Sequence, residues 1–405
     1  MDLSSINALI NESQSQLKKQ FEKIDEISLF NQEKVLNAFI NNGIALRHFA
    51  GTTGYGYDDI GRDSLKKVFA DAFGAQAAVV SPNVVSGTHA ISLALYSILK
   101  TGDKVLSVSG KPYDTLRGVI EGDEFSLSAF GITFEYSDLV GENFDYEFLK
   151  TLDLSEYSMV YVQRSRGYDD REVVSIRSMA ILFKFLRDNG FRGVIMVDNC
   201  YGEFTDTSEP TEVGADVIAG SLIKNPGGGI APSGGYVVGK KYLIDKVEAR
   251  LTAPTIAAEV GSYAYGYQYY YQGLFLAPHV VAQALKGNML LGVCMSKLGY
   301  KTNPEPFTIP KDITRSVTLN SEEKLVKFIQ SIQSVSPVDS YLTLVPWDMP
   351  GYSHKVVMAS GSFVQGSSSE LSGDAPIKPP YTAFVQGGLT YEHCVIALRS
   401  ILRNL

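Results

Sequence analysis

The sequence predicts an α/β fold, a mostly parallel mixed sheet with helices on both faces, followed by a smaller C-terminal α+β unit. Three observations predict it. Short apolar runs alternate with helix-period segments from about residue 77 to about residue 250, the pattern of strands joined by crossover helices over a sheet covered on both sides. The run Gly193-Val194-Ile195-Met196-Val197 reads as a buried strand that delivers Asp198 at its carboxyl end. The glycine-rich link from Asn225 to Gly235 leaves no room for a helix before Tyr236-Val237-Val238, so that strand is expected antiparallel to the one before it.

The elements follow in order. Residues 1–43 read as helix, with Leu17, Phe21, Ile24 and Ile27, then Val35, Leu36, Phe39 and Ile40 on one stripe and Asn42-Gly43 as the stop. Such an arm packs either on a partner subunit or over its own domain. The loop Gly51 to Asp63, with four glycines and two tyrosines, is expected to be an ordered binding loop. Strands are expected at Ala77–Val80, Lys104–Val108, Met159–Val162, ahead of Asp198, and at Val217–Ala219; helices at Thr88–Leu99 and around Ile181–Leu186. Residues 255 to about 300 look helical, and the cluster Tyr267-Gln268-Tyr269-Tyr270-Tyr271 is expected to be subunit contact rather than core. Beyond it lie strand candidates at Tyr341–Val345 and Val356–Ala359 and a final helix. The expected division is a helical arm over 1–50, a large domain over 51–255, a helical connection over 256–300 and a small domain over 301–405.

Composition narrows the function. With 405 residues the chain suits two domains. A formal net charge of −8 argues against a sequence-independent grip on nucleic acid. No apolar run reaches the roughly 18 residues that span a bilayer, and Met1-Asp2-Leu3-Ser4-Ser5 lacks a signal-peptide layout; the expected compartment is the cytoplasm. Cys200, Cys294 and Cys394 form no C-x-x-C pair and are expected to be reduced, and the five histidines show no metal-binding spacing. No metal site is expected.

Lys224 follows an apolar segment and precedes Asn225-Pro226-Gly227-Gly228-Gly229. Held in a dry pocket, a lysine there can lose its proton and act as an imine-forming amine, as pyridoxal 5'-phosphate (PLP) chemistry requires. Asp198, 26 residues upstream, lies where open α/β sheets bind ligands and can pair with a protonated pyridine nitrogen. Ser86-Gly87-Thr88 opens a helix whose first N–H groups and hydroxyls make a phosphate cradle. Taken singly these are a surface charge, a turn residue and an N-cap. Their joint order (phosphate cradle, ring-nitrogen acid, imine lysine) points to PLP.

The chain also resembles fold-type I PLP enzymes of the cysteine/methionine-metabolism group, most closely the methionine gamma-lyase-like or aluminium-resistance branch. The resemblance rests on Gly54 to Arg62, Ser86 to Ala90, Gly110 to Leu116, Gln163 to Tyr168, Ser221 to Gly229 and Gly361 to Ser367. It implies a PLP transferase-like large domain, a small C-terminal domain, and a homodimer or dimer-of-dimers tetramer with shared active sites. Carried over by position, Lys224 is the Schiff-base lysine, Asp198 the partner of the pyridine nitrogen and Tyr113 the aromatic lid. Ser86, Gly87, Thr88 and Ser221 hold the phosphate, and Tyr57 and Arg62 reach it from the neighbouring subunit. The group's substrate-carboxylate arginine has no direct counterpart; Arg166, Lys378 and Arg399 are the candidates. The activity so implied is that of a carbon–sulfur lyase acting on a cystathionine-, methionine- or cysteine-type amino acid by α,β- or α,γ-elimination. Lys224 would be the general base, with Tyr113 packing on the ring or supplying the leaving-group proton. An aminotransferase or aldol-type lyase would use the same lysine and aspartate, and a PLP-binding stress protein with little catalysis is the reading from another class. A serine acyl-enzyme reading of Ser221-x-x-Lys224 lacks its companion motifs.

Overall fold

The computed structural model describes residues 1–349 and 353–405. Two helices open the chain, α1 (Leu3–Gln16) and α2 (Lys18–Asn41), with Leu17 buried at the break. The expected single arm is therefore two helices, and it covers its own chain. Ser28 Oγ donates to Pro278 O, Gln32 Nε2 donates to Phe275 O, and Lys286 pairs with Asp25. Ile24 and Val35 are buried, whereas Leu36 and Ile40 of the predicted stripe are exposed.

Next come α3 (Ile60–Ala72), β1 (Ala77–Ser81), α4 (Gly87–Ile98), β2 (Lys104–Ser107), α5 (Asp114–Glu121), β3 (Thr133–Tyr136), the two-residue strands β4 (Leu139–Val140) and β5 (Asn143–Phe144), and α6 (Tyr146–Lys150). They continue through β6 (Met159–Gln163), α7 (Ile176–Asp188), β7 (Val194–Asp198), β8 (Val217–Ser221), β9 (Gly235–Gly239) and α8 (Lys241–Leu251). The main sheet has the order β1-β9-β8-β7-β6-β2-β3. Strands β8, β7, β6, β2 and β3 pair in parallel, while β9 runs antiparallel to both β8 and β1, so the fold class and the expected reversal at β9 are both as the sequence predicts. Every residue of β6, β8 and β9 is buried, because helices cover both faces.

The 30-residue helix α9 (Gln268–Lys297) leads to a second sheet built from β10 (Lys301–Asn303), β11 (Thr314–Thr318), β12 (Val356–Ala359), β13 (Ser372–Pro376) and β14 (Thr382–Gln386). Its order is β10-β11-β14-β13-β12, all antiparallel. Helices α10 (Glu322–Gln333) and α11 (Tyr391–Asn404) complete this part.

Two expectations are corrected. Tyr341–Val345 forms no strand: Tyr341 is 80% exposed and the run has no ladder partner among the described residues, so β-propensity has no neighbour there to act on. The tyrosine cluster is mostly core. Tyr267, Tyr270 and Tyr271 are buried, because Tyr267 Oη donates to Asp59 and Tyr271 Oη to Gly61 O, while Tyr269 stays exposed.

Candidate active site

The carboxyl ends of β7 and β8 lie side by side, with Asp198 aligned on Ala219. Asp198 is buried; Cys200 N donates to its Oδ1 at 3.1 Å, and burial pushes the carboxyl pKa up against the opposing pull of Lys224. Lys224 follows β8, half-buried, its Nζ 3.9 Å from the centroid of the Tyr201 ring. The expectation that burial frees this amine of its proton is corrected. Burial opposes the charge, but the pull of Cys200, Tyr201, Asp198 and Tyr113 prevails and holds the pKa above the lysine range. Of these groups Asp198 is the one whose ordinary pKa makes it an anion near neutrality.

The glycines after the lysine serve packing as well. A Cβ on Gly228 would lie 2.3 Å from Gly273 O of α9, and one on Gly227 would lie 1.7 Å from Leu222 O. Gly227 lets the lysine loop fold tightly on itself, and Gly228 lets it press backbone to backbone against α9.

The start of α4 faces the same crevice. A Cβ on Gly87 would stand 3.1 Å from Cys200 Sγ and 3.3 Å from Ser221 Cβ, so a side chain here would make these neighbours give way, and glycine favours the close approach of this helix end to the ends of β7 and β8. Ser86 caps the helix, its Oγ accepting from His89 N at 3.0 Å, which leaves its hydroxyl proton free to donate. Thr88 Oγ1 lies 2.9 Å from Tyr113 Oη. Tyr113 N donates to Gln163 Oε1 at the end of β6, and burial, with Asp198 nearby, raises the phenol pKa. Ser221 is buried. Lys224, Asp198, Tyr113, Ser86, Gly87, Thr88 and Ser221 thus meet at one end of the sheet.

Other candidates stand elsewhere. Lys378 lies exposed in the turn between β13 and β14, and Arg399 is exposed on α11. Arg166 is 1% exposed, and its Nη2 donates to Asn303 Oδ1 while Nε and Nη1 have no partner among the described residues. The next residue, Gly167, sits so that an added Cβ would lie 3.7 Å from Tyr113 Cβ. Arg62 is buried in its own loop, donating to Gly56 O and Gly261 O. Tyr57 is 61% exposed and stacked on Tyr55.

Sequence reading missed the turn Asn199–Thr205. Buried Arg164 donates from Nη1 to Asn199 Oδ1 and Gly202 O and from Nη2 to Thr205 Oγ1. Asn225 Nδ2, next to the lysine, donates to the carbonyls of Tyr201 and Glu203. Glu203 is buried with its Oε1 accepting from Tyr236, and burial raises its pKa to about 8. Also missed was the role of the loop before β13, where Glu370 accepts from the N–H groups of Phe363 and Val364 and Ser368 Oγ lies 3.5 Å from Tyr201 Oη. The sequence signals were polar residues beside Asp198 and Lys224 and the stretches Gln163 to Tyr168 and Gly361 to Ser367, whose contacts the sequence did not reveal.

Comparison with known proteins fits this geometry. The methionine gamma-lyase family model matches residues 6–405. The chain belongs to that family. The Bacillus subtilis protein YnbB is 45% identical over 388 residues, covering 95% of this chain and 92% of YnbB. A crystal structure of a carbon–sulfur lyase involved in aluminium resistance from Clostridium novyi NT is 43% identical with a TM-score of 0.94, covering 98% of this chain and 95% of that one. The PLP-dependent protein YhfS from Escherichia coli, at 18% identity and a TM-score of 0.63 over 94% of this chain and 97% of its own, shares the fold.

The crevice of this methionine gamma-lyase family member has the chemistry PLP needs. It combines a buried carboxylate, a lysine amine, an aromatic face, and a helix N-terminus with hydroxyls from Ser86, Thr88 and Ser221, packed tightly at Gly87.

Proposed function

We propose that this protein is a PLP-dependent carbon–sulfur lyase that carries its cofactor on Lys224 and acts on a sulfur-containing amino acid of the cystathionine, methionine or cysteine type. The observation that carries the reading is the meeting of Lys224, Asp198 and the α4 N-terminus at the ends of adjacent strands. Membership of the methionine gamma-lyase family, and the activity named for the Clostridium novyi relative, support it.

In this reading the positive end of α4 and the hydroxyls of Ser86, Thr88 and Ser221 hold the phosphate. Buried Asp198 keeps a proton on the ring nitrogen, and Tyr113 covers one ring face. PLP, when bound, supplies an electron sink for the pair left on Cα of an amino acid attached through its nitrogen. The Lys224 amine takes the Cα proton. Cys200, Tyr201 and Asp198 all pull on the Lys224 charge, so engagement of Asp198 by the ring nitrogen would weaken part of the hold on the lysine proton. Expulsion of sulfur from Cβ or Cγ then needs a proton at sulfur, from Lys224 Nζ or from Tyr113 Oη, whose raised pKa keeps it protonated. Sulfur leaves with that proton, and one water hydrolyses the unsaturated amine left behind, so the products are a keto acid, ammonia and a thiol.

The same reading makes the working unit a homodimer, in which the exposed Tyr55–Tyr57 pair extends into the partner's crevice. The test incubates the protein with PLP and cystathionine, methionine, cysteine and homocysteine, following the visible spectrum and keto-acid release. Keto acid formed without a second keto-acid substrate supports elimination. Strict dependence on such a co-substrate moves the protein to the aminotransferases, and bound PLP without turnover on any of the four leaves a binding protein.

A further inference from the structure

Tyr201 stands in a backbone conformation that tyrosine rarely adopts. Its φ is 71°, and Phe204, three residues on, has φ 61°; a large side chain in this region is strained and persists where the surroundings over-determine it. They do so here. The Tyr201 carbonyl accepts from Asn225 Nδ2 at 3.0 Å and from Ile313 N at 3.1 Å. The carbonyl of Gly202 is held by Arg164, and Phe204 N by Glu209. A turn fixed from the lysine loop, from the strand before α7 and from the approach to β11 presents one aromatic face, and that face lies 3.9 Å from Lys224 Nζ. Its hydroxyl lies 3.5 Å from Ser368 Oγ, in the loop that Glu370 clamps before β13.

We infer that Tyr201 is a positioning residue for the Lys224 amine: the strained turn holds its ring face against Nζ, favours the charged form that the amine takes on when it receives the Cα proton, and ties that position to the Ser368 loop. The inference rests on the reading of Lys224 as the cofactor-bearing lysine. A cation is attracted to an aromatic face, and the attraction grows when water is excluded. A leucine keeps an apolar side chain at this position without supplying this attraction. The titratable groups around Nζ are Asp198 on β7, Cys200, Tyr201 and Glu203 in the turn, and Tyr113 at the start of α5. All but Tyr201 are left intact by the test.

The test compares the PLP-loaded wild type with Tyr201→Phe, Tyr201→Leu and Tyr201→Asn; asparagine tolerates the positive φ. Two quantities are read: the pH midpoint of the cofactor's visible band without substrate, and kcat and KM on the best amino acid of the panel. Tyr201→Phe keeps the face and is expected to keep the midpoint, with kcat within about twofold of wild type. Tyr201→Leu and Tyr201→Asn are expected to lower the midpoint, because the positive nitrogen loses its support, and to lower kcat by roughly tenfold with KM little changed. A midpoint and kcat for Tyr201→Leu equal to those of Tyr201→Phe overturns the inference, because shape alone then suffices, and the PLP reading stands. A wild-type protein that takes up no PLP removes that reading and this inference together.

Discussion

Two loops of this protein present tyrosines beside glycine, and the structure treats them in opposite ways. The turn Asn199–Thr205 is held by buried Arg164, Asn225 and Glu209, so that Tyr201 has one position, under Lys224. The loop Gly51–Asp63 is anchored at its base, where Asp59 accepts from Tyr267 and Arg62 donates to Gly56 O, yet its tip leaves Tyr55 69% and Tyr57 61% exposed, stacked on each other. The contrast locates the part of the site that is self-sufficient. In the proposed reading the groups that would handle protons are built inside one chain, and the exposed tip is the part that would meet a partner subunit.

This contrast is tested most severely at the lysine. Lys224→Ala is expected to abolish the visible cofactor band and all turnover; a retained band would reject the assignment of the amine. Next is Arg164→Ala, which leaves Asn199, Gly202 O and the buried Glu209 without their cation. A loss of roughly 3 kcal/mol is expected, read as a lower denaturant midpoint, with cofactor binding weakened because the Asp198 turn loosens. An unchanged midpoint would mean the turn is not over-determined.

A smaller effect concerns pH. Burial raises the Glu203 pKa from the usual glutamate range to about 8, so between roughly pH 4.5 and 8 the folded protein binds more protons than the unfolded chain. Stability from this group is full below the unfolded value and is lost as pH rises through about 8. Glu203→Gln should therefore flatten the fall in thermal midpoint across that window; an equal slope in both proteins would show Glu203 is not the group responsible. The smallest stability effect is expected at the exposed loop. Tyr57→Ala should change folding stability by no more than about 0.5 kcal/mol, yet weaken PLP binding and shift the sedimentation profile toward monomer. Wild-type assembly and cofactor affinity in this variant would remove the loop from the shared site.

The buried strands β1, β2, β6, β7 and β8 were legible because both-side burial writes itself as apolar runs, and the antiparallel β9 was legible because a short link admits no helix, whereas the edge strand β3, whose residues are exposed or half-buried, and helix α5 were not read. The small sheet was harder. Strands such as Ser372–Pro376 and Lys301–Asn303 carry serine, glycine, proline and lysine, residues that owe their pairing to neighbours rather than to propensity.

Local pattern and positions at strand ends were thus enough to set the α/β architecture and the order in which a phosphate cradle, an acid and a lysine arrive along the chain. It took the folded molecule to make the Tyr267 cluster core, to bring the glycines after Lys224 against α9, and to bend Tyr201 into a left-handed conformation beneath the amine. Each of these depends on contacts between segments far apart in sequence, whose strain and buried hydrogen bonds balance only when the whole core closes around them.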